Sequence, residues 1–129
     1  MQLANKFTMV SIVVSDMKKA KEFYVEKLGL AVATDYRRND NNWWVTLTFP
    51  GGGAFITLAR SSTTHNEPAK PDTISFYFST SDIVAAHKEL NEKNVQTSEV
   101  RDDLYGPGSG VKFFQLKDPD GNQVTFAQE

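Results

Sequence analysis

No cysteine occurs anywhere in the 129 residues, which excludes thiolate catalysis, cysteine-ligated metal and disulfides together. The same absence fits a reducing compartment, and a cytoplasmic location is expected. No apolar run approaches the roughly 20 residues that a membrane-spanning helix needs, and the opening MQLANKFTMV is too polar for a signal peptide. An excess of one charge sign is lacking too: 14 Lys+Arg stand against 16 Asp+Glu, with no basic stripe interleaved with aromatics. Neither nucleic acid nor a membrane is an expected partner. Histidine is scarce, with only His65 and His87, and no Ser-His-Asp set is present. Gly51-Gly52-Gly53 joins two strand-like runs and opens no helix, so it is neither a phosphate loop nor a dinucleotide fingerprint.

What the chain does contain is a repeat. Ser15-Asp16-Met17, Ala20 and Glu26-Lys27 return 66 positions later as Ser81-Asp82-Ile83, Ala86 and Glu92-Lys93. In the first half, residues 7 to 15 alternate with β-branched side chains and predict a strand. Asp16 is placed to cap a helix reaching about Leu28 and ending at Gly29. Strands are expected over 30 to 38, 43 to 49 and 54 to 60. The second half gives a strand over 73 to 80, a helix from Asp82 to Lys93 with Asn94 as its left-handed exit, and strands near 95 to 101, 111 to 117 and 122 to 128. Residues 61 to 72 are polar and proline-containing and form the link. The expected fold is α+β: one domain over 1–129 made of two tandem βαβββ modules, about 5–60 and 73–129, each a helix packed on a curved mixed sheet enclosing a cavity.

Three segments, VSDMKKAKEFYVEKLGL, SDIVAAHKELNEKNV and DPDGN, resemble in their order the vicinal oxygen chelate superfamily, which includes glyoxalase I, extradiol dioxygenases, fosfomycin-resistance enzymes and bleomycin-binding proteins. The resemblance covers almost the whole chain and is specific for the fold, whereas the superfamily hosts several reactions as well as pure binders. It implies that metal-using members would carry His or Glu at four places, here held by Met9, Thr57, Thr73 and Thr125. A thioether and three neutral hydroxyls are a poor donor set for a divalent cation, so no metal, no cofactor and no catalytic residue is expected. His65 falls in the polar link and His87 among packing positions of the second helix. Asp118 and Asp120 are expected to hold a turn instead of working as an acid and base pair.

Strand alternation extends those four positions to a cavity lining: Met9, Ser11, Trp44, Thr46, Thr48, Phe55, Thr57, Thr73, Ser75, Tyr77, Phe113, Gln115 and Thr125. Of these, all except Thr48 are candidate ligand-binding residues. The opposite face, from Val45, Leu47 and Ile56 to Phe114, Leu116 and Val124, is apolar and should meet the helices. A lining of hydroxyls, one amide and aromatic rings suits a neutral, partly aromatic small molecule. The function expected is that of a homodimeric binding protein of the glyoxalase/bleomycin-resistance type that sequesters such a ligand. The alternative is a glyoxalase-like lyase or isomerase, or a dioxygenase-type enzyme, using a recruited divalent metal. A third reading is an interaction module whose cavity is filled by its own side chains. Trp44 belongs either to the ligand face or to an interface, the loop 102–110 is a lid or a plain surface loop, and the modules pair within one chain or across a swapped dimer.

Overall fold

The computed structural model describes residues 3–61 and 73–129. Of the expected link over 61–72, Ser61 ends a strand, and the rest, with His65, lies outside the described residues. The chain divides into two compact units, Met1–Asp72 and Thr73–Glu129. Each has its own sheet and its own helix.

The first unit runs β1 (Met9–Val13), α1 (Met17–Lys21), a π-helical continuation (Glu22–Lys27), β2 (Ala31–Asn39), β3 (Asn42–Thr48) and β4 (Phe55–Ser61). Asp16 caps the helix as expected, its Oδ1 accepting from Lys19 N at 3.1 Å. Past Lys21 the winding widens, and Leu28 N–H reaches back five residues to Phe23 O at 3.0 Å. Nothing in the apolar spacing distinguishes this turn from an α-helical one. Gly29, at φ 81°, then lets the chain leave in a left-handed conformation. The strands order β1-β4-β3-β2, with β1 and β4 parallel and the other pairs antiparallel. On the helix side Ile12, Val14, Val45, Leu47, Ile56 and Leu58 are buried, as are Met17, Ala20 and Tyr24 of the helix. Burying each aliphatic side chain of this kind contributes about 1.5–3 kcal/mol.

The second unit runs β5 (Ser75–Thr80), α2 (Ile83–Glu92), β6 (Phe113–Lys117) and β7 (Gln123–Gln128). Asp82 caps α2 through a 3.0 Å bond from Ala85 N, and Asn94 makes the exit at φ 64°. The strand order is β5-β7-β6, with β5 and β7 parallel. The strand expected near 95–101 does not form. That stretch meets β6 through isolated bridges, Thr97 to Leu116 and Arg101 to Phe113, and through Ser98 N–H donating to Gln115 O at 2.8 Å. Ser98 shows why: its hydroxyl accepts from Gln115 N at 2.9 Å, so a side chain stands in for part of the strand ladder. The path still lies beside β6, as β2 lies beside β3, so the two halves share one plan with one edge degraded.

A turn between β6 and β7 is built from side chains. Asp118, 6% exposed, accepts from Asp120 N at 2.9 Å and from Asn122 N and Nδ2 at 2.8 Å each. Asn122 Oδ1 in turn accepts from Ile74 N at 2.9 Å, tying the turn to the entry of β5. The turn-holding role expected of Asp118 is therefore what its contacts show. His87 packs edge-on to Phe114 and bonds Ser98 O at 3.0 Å, as a half-buried packing residue would.

Candidate functional site

Sheet pleating puts every second residue of β1, β3 and β4 on the face turned away from the helix. On that face of the first unit the structure brings together Met9, Ser11, Trp44, Thr46, Phe55 and Thr57, because Met9 pairs with Phe55, Ser11 with Thr57 and Thr46 with Thr57. Its floor is polar. Thr57, 6% exposed, donates to the Met9 sulfur at 3.2 Å and lies 3.3 Å from the Thr46 hydroxyl. Its rim is apolar and open: Met9 is 50% exposed, Trp44 39% and Phe55 38%.

One member of this face was not among the expected residues. Tyr36, on β2, lies opposite Trp44 and stacks on it with ring centroids 4.5 Å apart and planes 25° from parallel. A β-bulge between Arg37 and Asn39 sets that pairing. Counting back from the hairpin turn without the extra residue would set Arg37 opposite Trp44, so the stacked pair was not legible from alternation alone.

The corresponding face of the second unit gathers Ser75, Tyr77, Phe113, Gln115 and Thr125, with Tyr77 paired to Thr125 and Gln115 to Thr125. Thr125 is fully buried and accepts from Gln115 Nε2 at 3.5 Å; Phe113 is buried and Tyr77 is 64% exposed. Thr73 departs from expectation. It precedes β5, and the residue that matches Met9 at the repeat spacing of 66 is Ser75. Its methyl group instead meets the turn, 3.5 Å from where a Cβ on Gly121 would lie.

The donors available in either unit do not fit a divalent cation. Met9 and Thr57 offer a thioether and a neutral hydroxyl, and Thr125 and Ser75 offer hydroxyls, where zinc, iron or manganese requires imidazole, carboxylate or thiolate. Among the described residues there is no group of three or more His, Asp or Glu side chains able to hold a metal ion. Also among them, no helix is long and apolar enough to cross a membrane.

A β-α-β-β-β unit followed by a β-α-β-β unit, each with its first and last strands parallel, defines the class of fold, and sequence comparison gives the family. Residues 6–126 match the model of the Glyoxalase/Bleomycin resistance protein/Dioxygenase superfamily, and the chain belongs to that superfamily. It is 30% identical over 115 residues to the uncharacterized protein YwkD of Bacillus subtilis (strain 168), covering 86% of this chain and 87% of that one. Among solved structures, a superfamily member from Sphaerobacter thermophilus aligns with a TM-score of 0.79 at 28% identity over 98% of each chain. TnmS3, an antibiotic binding protein from Streptomyces sp. CB03234, has the same fold, with a TM-score of 0.79, 23% identity, and 99% of this chain and 98% of that one covered.

Proposed function

We propose that this protein binds a neutral, partly aromatic small molecule without a metal, holds it out of solution, and works as a cytoplasmic homodimer. The observation that carries this reading is the stacked Trp44–Tyr36 pair, exposed on the same open sheet face as Phe55 and Met9. Large aromatic surface left in water is unfavourable and marks a place where something docks. A flat ring laid on this pair gains stacking of about 0.5–1.5 kcal/mol beyond the area it buries. The Thr46 and Thr57 hydroxyls beneath supply a few directional contacts for carbonyl or hydroxyl groups, without a net charge that would demand an ionic ligand. Antibiotic binding by TnmS3 is compatible with such a role on this fold.

The enzyme alternative would require a recruited metal, and the thioether and hydroxyl donors weigh against it. A thermal-shift screen separates the two, using chelator-treated protein against divalent metals and a panel of aromatic and peptide antibiotics. Stabilisation by an organic compound and by no metal is expected. Stabilisation that depends on metal, with stoichiometric metal by elemental analysis, would replace binding by lyase or dioxygenase chemistry. Light scattering tests the dimer, and a monomer at micromolar concentration would remove it.

A further inference from the structure

The helix-facing side of the first sheet carries a concave feature, on the face opposite the aromatic pair. Arg37 of β2, Trp43 of β3 and Arg60 of β4 are direct cross-strand neighbours, so their side chains form one row across three strands. That row faces the entry to α1, where Ser15, Asp16 and Lys18 close the other side of a cavity of about 210 Å³. A liquid water occupies about 30 Å³, so a tetrahedral oxyanion with part of its hydration fits.

Both guanidinium groups are held in place before any ligand arrives. Arg60 Nη1 donates to Ser15 O at 2.5 Å. Arg37 lies over the Trp43 ring, 4.2 Å from its centroid. Trp43 is itself fixed, its indole N–H donating to Asp35 Oδ1 at 2.8 Å, while Asp35 is paired with Lys21 at 2.5 Å. A preorganised planar fork is the group best suited to phosphate.

An internal carboxylate already uses the cavity. Asp40, in the turn between β2 and β3, is ion-paired with Arg37, yet its side chain is 82% exposed. Arg37 foremost holds the Asp40 carboxyl below the usual carboxylate range, and Lys18 and Arg60 line the same cavity. Asp16 is committed to capping the helix. When Asp40 swings outward, three cations face one remaining carboxylate, which leaves two positive charges. That matches a doubly charged anion better than a simple carboxylate.

We propose that this cavity is a binding site for a divalent oxyanion, as inorganic phosphate or as the phosphate of a phosphomonoester, with Arg37 and Arg60 as the gripping residues and Asp40 as a displaceable internal competitor. The site lies on the other face of the sheet from the aromatic pair and does not depend on what that pair binds.

The test uses the full chain and Trp43 as reporter. With two tryptophans in the sequence, Trp44→Phe leaves Trp43 alone to respond, and calorimetry on the unsubstituted chain gives the same readout without the substitution. The probes are inorganic phosphate, phenyl phosphate and acetate at matched ionic strength. Saturable binding of phosphate and phenyl phosphate, with none of acetate, is expected. Equal affinity for both would identify the free anion as sufficient, and preference for phenyl phosphate would identify a phosphomonoester. Arg37→Gln should weaken binding about tenfold or more, as loss of a charge-assisted pair does. Asp40→Asn should tighten binding severalfold, because it removes the carboxylate that occupies Arg37. No saturable response, equal binding of acetate, or unchanged affinity in Asp40→Asn would overturn the proposal.

Discussion

The two units follow one plan and have put their side chains to different uses. On the open face the first carries a stacked Trp44–Tyr36 pair over a Thr57–Thr46–Met9 floor, whereas the second carries Tyr77 above a buried Thr125–Gln115 contact. At the turns the contrast reverses. The link between β3 and β4 is Pro50 followed by three glycines, shaped by backbone freedom, with φ values of 78° and 92° at Gly52 and Gly53. Its counterpart between β6 and β7 is braced by Asp118 and Asn122. A duplicated fold thus leaves one half free to present aromatic surface while the other gathers internal hydrogen bonds.

The turns offer the sharpest test of that division. Asp118→Ala leaves three N–H donors near the core without their acceptor, and unfolding in urea should show a loss of about 3 kcal/mol or more. Gly51→Ala, at a position with ordinary φ and open space around it, should change stability by less than about 0.5 kcal/mol. Comparable losses in both would show that the second turn is not specially braced.

The open faces are compared through ligand affinity. Trp44→Ala should weaken binding of a flat aromatic compound by more than about 1 kcal/mol with little change in melting temperature. Tyr36→Ala should act in the same direction. Tyr77→Ala should act less if the first unit supplies the main platform. A larger effect at Tyr77 would invert the assignment of roles.

The smallest effect concerns acid. Asp35 is held below the usual carboxylate range chiefly by its hydrogen bond from Lys21, aided by Trp43 and opposed by partial burial, and Asp40 is held low chiefly by Arg37. A carboxyl lowered in the folded state binds fewer protons there than in the unfolded chain. Its contribution is fully present above the unfolded value of about 3.9 and fades as pH falls through the folded value. The urea midpoint should therefore be flat from about pH 5 upward on account of these groups and decline below about pH 4, with Asp35→Asn making that decline shallower. In the second unit Asp103 is lowered by Arg101 in the same way, so the decline remaining in Asp35→Asn measures the other acids, Asp103 among them.

Much of the fold was legible because its signals are local. Asp16 and Asp82 cap helices by reaching donors three residues on, and Asn94 and Gly29 end them through backbone conformations that few residues tolerate. The buried row Val45, Leu47, Ile56 and Leu58 followed from period-two alternation. The strand predicted over 95–101 is absent because the ladder beside β6 is partly made by the Ser98 side chain, which no hydropathy pattern records. Thr73 was misplaced because counting back from Asp82 runs past the start of β5.

The sequence by itself determined the repeat, the helix caps, the burial face of β1, β3 and β4 and the lack of strong metal ligands at Met9, Thr57 and Thr125. Only the tertiary structure decided which residues meet across strands. The single extra residue between Arg37 and Asn39 puts Tyr36 on Trp44 and Arg37 on Trp43. Alternation along a strand is fixed by the pleat of one chain segment, while register between strands depends on bulges and turn geometry that two segments settle only when they pair.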